Sequence, residues 1–174
     1  MAVSPIISVP KLIDAESMSE LGAKSFLESH LTSATQKDLD DYIRNTYTKE
    51  RFVKELEDSR NLFRIATIGE RIAGYSKIVP NTSRPGITQT NSCKMERLYV
   101  LEEFIPQKIG QLLFDECLEL AKAENQSGIW LNVWTGNPRA IRFYEKQGFS
   151  KVGDTMFKIS ATHSNPNYLL WLPL

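Results

Sequence analysis

The stretch from residue 94 to residue 134 restricts the fold more than any other part of the chain. Residues 94–100 read as a strand, followed by a short loop ending in Lys108-Ile109-Gly110 and then a long helix. Ile109, Leu112, Leu113, Cys117, Leu120 and Ala121 recur at i, i+3, i+4, i+8, i+11 and i+12, one continuous apolar face, while Asp115, Glu116, Glu119 and Lys122 take the other side. Residues 129–134 return as a second strand. Two strands joined through one helix must run parallel, with a right-handed crossover. A strand that feeds a helix through a tight loop also aims unpaired backbone N–H groups at one point in solvent, which makes an anion site. An Ile-Gly pair at a helix start is weak on its own, since such pairs open many ordinary helices.

The flanking sequence adds antiparallel strands and helices to this unit. Residues 6–9 form a short apolar run before Pro10, and Ser17-Met-Ser-Glu20 has the spacing of a capping box. Thr35 and Thr48 can cap two further helices, the first through Thr35-Gln-Lys-Asp38. Residues 61–68 and 71–79 flank the turn-like Gly69-Glu70 and predict a hairpin. Residues 80–92, with Pro, Gly, Asn, Ser and Thr, predict an exposed and mobile loop. Two β-like runs, 151–160 and 168–172, close the chain. The expected fold is α/β: a mixed, mostly antiparallel sheet with a central parallel βαβ unit and flanking helices. One domain spanning residues 1–174 is expected at this length.

Several function classes recede on composition. Lys+Arg and Asp+Glu both total 21, so nothing supplies the basic surface that nucleic acid or an anionic membrane selects. No apolar run approaches a membrane span, and residues 1–10 lack the charged and apolar regions of a secretory signal, so a cytoplasmic protein is expected. Two cysteines, Cys93 and Cys117, read as buried reduced thiols. The two histidines, His30 and His163, stand far apart without Cys/His pairing, so no metal site is expected.

Downstream, residues 137–149 read Asn-Pro-Arg-Ala-Ile-Arg-Phe-Tyr-Glu-Lys-Gln-Gly-Phe. Asn137 can cap a helix with Pro138 in its first turn, and Gly148 suits a left-handed C-cap. This segment, in order after the strand–loop–helix block, closely resembles the Asn-x-x-Ala-x-x-Phe-Tyr-x-x-x-Gly-Phe segment of the GNAT N-acetyltransferases. The loop is more divergent from that family's Gln/Arg-x-x-Gly-x-Gly/Ala signature. One register starts it at Gln107 and puts Gly110 on the first glycine. The other, favoured by Leu98-Tyr-Val100 and the helix face, starts it at Ile105 and puts Lys108 and Gly110 on the two glycines. Pro106 removes one backbone donor there, and the Lys108 cation can partly compensate beside a pyrophosphate.

The resemblance implies acetyl-CoA as cosubstrate. Its pyrophosphate would lie against backbone N–H groups of Gln107, Lys108, Ile109, Gly110 and Gln111. Its pantetheine arm would run beside Leu98, Tyr99 and Val100 as an added strand, with Asn137 and Tyr144 approaching from the other side. A backbone N–H near Val100 would steady the oxyanion. Tyr144 is the candidate beside the departing sulfur, with Tyr99 a second choice. Tyrosine (pKa ~10) is a weaker acid than a thiol (~8.5), so a hydrogen bond to the thiolate is the modest role and general acid the stronger one. An amine with a pKa of ~10.4 is only ~0.1% neutral near pH 7.4, and direct deprotonation by a glutamate of pKa ~4.3 runs uphill by roughly 8 kcal/mol. Glu96 is therefore read as the end of a water-mediated path or as an amine anchor, against an alternative in which it is salt-bridged beside Arg97.

Within that family the chain is most similar to the bacterial spermidine/spermine acetyltransferases of the PaiA type. The carrying pieces are residues 46–56, Ile72-Ala-Gly-Tyr75, Glu96-Arg-Leu-Tyr-Val100 and Ile129-Trp-Leu-Asn-Val-Trp134. This implies a primary-amine acceptor, such as a polyamine, with Glu28, Asp38, Asp40 and Asp41 as candidate carboxylates along a groove. Thr135-Gly136 and Asn167 stand where such proteins carry acids, which leaves another small amine or a peptide N-terminus as alternatives. A protein that binds CoA or a partner without turnover is a further alternative, as is an interaction domain that does not bind CoA. The resemblance also brings a homodimer into view.

Overall fold

The computed structural model describes residues 4–174. Its elements run β1 (Ile6–Ser8), a 3-10 turn (Leu12–Asp14), α1 (Ala15–His30), α2 (Gln36–Thr46), α3 (Lys49–Glu57), β2 (Leu62–Ile68), β3 (Arg71–Val79) and β4 (Ser92–Val100). A second 3-10 helix (Glu102–Gln107) leads into α4 (Ile109–Ala123), followed by β5 (Gly128–Trp134), α5 (Pro138–Lys146), β6 (Ser150–Lys158) and β7 (Ser164–Pro173). The seven strands form one sheet in the order β1-β2-β3-β4-β5-β7-β6. Every adjacent pair is antiparallel except β4–β5. This is the mixed sheet with a central parallel crossover that the sequence predicts.

Alternation along β3 separates the two faces of the sheet. A Cβ on Gly74 would meet Leu113 of α4 at 3.2 Å, whereas Tyr75 packs edge-on against Phe52 of α3. The α4 side gathers Phe114, Cys117, Ile129, Leu131 and Phe149, and α5 packs Ile141 and Phe143 onto the same cluster. The opposite side gathers Met18, Phe26, Leu39, Tyr47, Phe52 and Tyr75 beneath α1, α2 and α3. Cys93 and Cys117 are buried and free, and burial pushes the thiols up to about 12 and about 11.

Two local expectations are corrected. Ser17-x-x-Glu20 does not open α1; the helix already runs from Ala15, preceded by a 3-10 turn in which the Asp14 carboxylate accepts the Lys11 N–H at 2.7 Å. Leu112 is 38% exposed, and Phe114 takes a buried place instead, because α4 is also covered by Phe143 and Phe149 from beyond its own period. The caps at Thr35 and Thr48 form as expected, each hydroxyl accepting a backbone N–H at 3.2 Å. The loop after β3 is tied at several points: Trp130 Nε1 donates to the Thr82 carbonyl at 2.8 Å, Asn81 N–H to Gln126 Oε1 at 2.8 Å, and the Asn91 side-chain amide to the Asn125 carbonyl at 2.6 Å.

Candidate active site

The parallel ladder between β4 and β5 lasts for only three residue pairs, Ser92↔Gly128, Cys93↔Ile129 and Lys94↔Trp130. Beyond Lys94 the two strands part, and one residue accounts for the change of course. On β4 Arg97 faces Lys77 and Met95 faces Ile78, so Glu96 is an extra residue with no partner on β3. Such a bulge bends its strand and increases the local twist. It also puts Glu96 and Arg97 on the same side of the sheet.

The parted strands leave backbone groups without a ladder. Leu101 N–H donates to the Ala73 carbonyl at 3.0 Å. In antiparallel pairing the main-chain groups of Leu101 and Tyr99 therefore face β3, and those of Leu98 and Val100 face the gap. Tyr99 is thus corrected as a main-chain donor: its polar backbone is committed to β3, and only its ring reaches the cavity, with its hydroxyl 3.1 Å from that of Tyr47. A cavity of about 380 Å³ passes through the gap, bounded by Asn137, Ala140 and Tyr144 on one side and Phe26, His30, Tyr42 and Tyr47 on the other.

At the corner between β4 and α4, Lys108 adopts a left-handed conformation, φ +58°, which favours glycine. Its side chain is exposed, leaving the corner open. Lys108 N–H donates to the Ile105 carbonyl at 3.1 Å and Gln111 N–H to the Lys108 carbonyl at 3.0 Å. Gln107 lies inside the 3-10 helix, where its N–H is directed three residues back. The expected five-amide cradle therefore narrows to Ile109 and Gly110, the first N–H groups of α4. A Cβ on Gly110 would meet nothing nearer than Val100 Cγ2 at 3.9 Å, so the protein itself does not require glycine there. The Gln111 side chain is held in a reciprocal amide pair with Gln147 of α5, at 2.7 and 3.0 Å.

Asn137 caps α5 through its side-chain oxygen, 3.1 Å from the Ala140 N–H, and Gly148 follows at φ +96°. That cap sets the helix so that Tyr144 lies in the gap, between Phe143 at 5.3 Å and Phe149 at 5.5 Å. Burial pushes the Tyr144 phenol above its ordinary value, so it stays protonated. No described residue hydrogen-bonds its hydroxyl.

Glu96 also lines the cavity, but both of its oxygens are occupied. Lys77 Nζ lies 2.8 Å from one and Lys94 Nζ 3.1 Å from the other. Burial would raise its pKa, yet the Lys77 ammonium outweighs that and holds the carboxyl down to about 2. Glu55 anchors the same cluster, taking both Arg97 Nη atoms at 2.8 and 3.1 Å, Lys77 at 3.1 Å and Arg51 at 3.3 Å. The remaining expected carboxylates lie elsewhere. Glu28 accepts the Glu102 N–H at 3.0 Å, Asp38 pairs with Thr35, Asp40 takes Gln36, and Asp41 pairs with Lys37 and Arg44. None of them lines the cavity.

The family model described as "Acetyltransferase (GNAT) family" matches residues 22–149, about three-quarters of the chain. The chain belongs to the GNAT acetyltransferase family. An uncharacterized N-acetyltransferase of Mycobacterium tuberculosis is 25% identical over 154 residues, covering 88% of this chain and 94% of that protein. The spermidine N(1)-acetyltransferase of Thermoplasma acidophilum is 26% identical over 148 residues, 82% of this chain and 85% of the relative. Among solved structures, the PaiA N-acetyltransferase of T. acidophilum in complex with coenzyme A superposes with a TM-score of 0.81 at 21% identity, covering 98% of this chain and 99% of that one. A GCN5-related N-acetyltransferase from Rhodopseudomonas palustris gives 0.77 at 17% identity, with 100% and 98% covered.

In this GNAT protein, sequence reasoning overlooked the far wall of the cavity. His30, at the end of α1, stacks between Phe26 at 4.2 Å and Trp134 at 5.4 Å. Its Nδ1 lies 2.8 Å from Ser29 Oγ and 3.1 Å from the Phe26 carbonyl, and no described residue takes Nε2. Burial lowers its pKa, which the Phe26 carbonyl only partly offsets, so the ring is neutral at pH 7. The i, i+4 spacing of Phe26 and His30 was legible; their meeting with Trp134, more than a hundred residues away, was not. Among the described residues no helix is long and apolar enough to cross a membrane, and no group of three His, Cys, Asp or Glu is arranged to hold a metal ion.

Proposed function

We propose that this GNAT protein transfers an acetyl group from acetyl-CoA to a primary amine. The gap between β4 and β5 carries this reading: it leaves the main-chain groups of Leu98 and Val100 without a strand partner, and Leu98 borders a cavity that reaches both faces of the sheet. The fit at the other end rests on the open corner at Lys108 and Gly110, where an exposed cation and the first amides of α4 favour phosphate. The thioester supplies the acetyl group; the chain's own residues hold it and manage charge and protons.

In this reading the pantetheine arm pairs with Leu98 and Val100 as an added strand. The Val100 N–H faces the carbonyl oxygen as it gains charge, a fixed dipole in a site shielded from water. The amine approaches from the His30 side. As the C–N bond forms and the C–S bond breaks, the nitrogen sheds a proton toward His30 Nε2 and the thiolate takes one from or through the Tyr144 hydroxyl. Across the turnover, one proton passes from nitrogen to sulfur. Glu96, held ionised by Lys77 and Lys94, serves the charge balance of the amine side rather than proton removal. Asn137 supports Tyr144 by fixing the start of α5.

Spermidine enters as an acceptor to test because of the named relative. The deciding measurement is a thermal-shift titration with acetyl-CoA followed by thiol release on an amine panel. A ligand at a hundred times its dissociation constant adds about 2.7 kcal/mol of stability. No shift overturns the proposal. A shift with no turnover on any amine leaves a CoA-binding protein without transferase activity.

A further inference from the structure

The acceptor side of the cavity has a chemistry of its own. Phe26, His30, Tyr42, Tyr47, Trp134 and Phe157 wall it with rings, several in direct contact. Four cations gather there, Arg51, Lys77, Lys94 and Arg97, against two carboxylates, Glu55 and Glu96. The cluster therefore carries a net charge of +2, four minus two. Among the residues lining the cavity, Glu96 is the one acid, and both its oxygens are paired. Lys77 and Arg97 are spent inside the cluster, their side chains only 6% exposed. Arg51 and Lys94 each hold one carboxylate of the cluster, Glu55 at 3.3 Å and Glu96 at 3.1 Å, yet both also line the cavity, with 53% and 30% of the side chain open. Asn132 adds a polar group, since its Oδ1 is buried in the same wall with no donor.

A polycation meets the wrong field here. Each further ammonium brought in beside Arg51 and Lys94 is repelled, with no free carboxylate to offset it, and the acids of α2 point to solvent. We infer that the acceptor is a primary amine on an aromatic or apolar body that also carries an acidic group, its anion met by Arg51 and Lys94, its body by the ring wall, and an amine N–H by Asn132 Oδ1. The inference rests on the acetyltransferase reading and narrows it. It explains why the chamber is lined by flat apolar surfaces and yet edged with charge: rings desolvate the amine end, and the cations hold the far end in register.

Matched acid and amide acceptors test it with the full chain and acetyl-CoA: phenylalanine against phenylalaninamide, and 4-(aminomethyl)benzoate against 4-(aminomethyl)benzamide, with spermidine alongside. At least one acid should exceed its amide in kcat/KM by about tenfold and also exceed spermidine. Arg51→Gln and Lys94→Gln should each lower kcat/KM severalfold more for the acid than for its amide, shrinking that ratio; an equal fall in both substrates would mark a structural effect and count against the assignment. Spermidine as the best acceptor, or acid and amide equal in both pairs, overturns the inference, as does a protein that binds acetyl-CoA but accepts none of the five. Absence of any thermal shift with acetyl-CoA is a different failure, since it removes the underlying transferase reading.

Discussion

The two walls of the cleft are built in contrasting ways. The wall facing α4 and α5 is nearly local in sequence: β4, the Lys108 corner, α4, β5 and α5 follow one another from Ser92 to Lys146. Its polar work is done by backbone, through caps, helix starts and the free edge of β4. The opposite wall is assembled from distant pieces, with Phe26, His30, Tyr47, Arg97, Trp134 and Phe157 brought together from α1, β4, β5, β6 and the end of α2. Its work is done by side chains. Backbone geometry that serves one cosubstrate can persist under many sequences, whereas a side-chain wall changes with each substitution, so the acceptor is where such proteins diverge.

Variants on each wall break or sharpen this contrast. The largest effect is expected from Glu55→Ala, which leaves Arg97 and Lys77 buried without their shared carboxylate. Removing one partner of a buried ion cluster costs about 3–5 kcal/mol, to be read by urea denaturation. On the local wall, Tyr144→Phe should lower kcat by about a hundredfold with little change in coenzyme A affinity by calorimetry. Equal loss of both would make the ring a packing element only. His30→Gln should lower kcat by about tenfold and remove an acid limb from its pH profile. The sign follows from burial: the His30 pKa lies below 6.5, so in the native enzyme the neutral ring persists as pH falls past that value and activity drops only below it. A limb above 6.5 that disappears in His30→Gln would contradict the assignment, whereas one that persists belongs to the acceptor amine. The smallest effect is the most diagnostic. Gly110→Ala fits the protein, so it should raise stability by up to about 1 kcal/mol while weakening coenzyme A binding, because the added methyl occupies the ligand's approach.

The same contrast governs what could be read from the chain alone. The βαβ unit, the hairpin and the caps at Thr35, Thr48 and Asn137 depend on spacing and local hydrogen bonds, so the pattern of residues sufficed. The start of α1 was misplaced because Ser17-x-x-Glu20 imitates a cap inside a helix that begins earlier. Leu112 was misassigned because α5, not the period of α4, decides which side is covered. The bulge at Glu96 leaves no mark in a strand that alternates on either side of it, and without the bulge neither the gap nor the ion cluster can be foreseen. The carboxylates of α2 had suggested a polyamine groove, but their partners are one helical turn away and hold them outside.

The supernumerary residue in β4 has a last implication. A sheet whose ladder ran on past Lys94 would be a continuous barrier, with thioester and amine on opposite sides and no line between them. Deleting Glu96 would return the strand to a regular count, keep Met95 and Arg97 on their opposite faces, and let the barrier heal. The route from one reactant to the other thus depends on a single unmatched position, and losing it would seal the protein while sparing most of its fold.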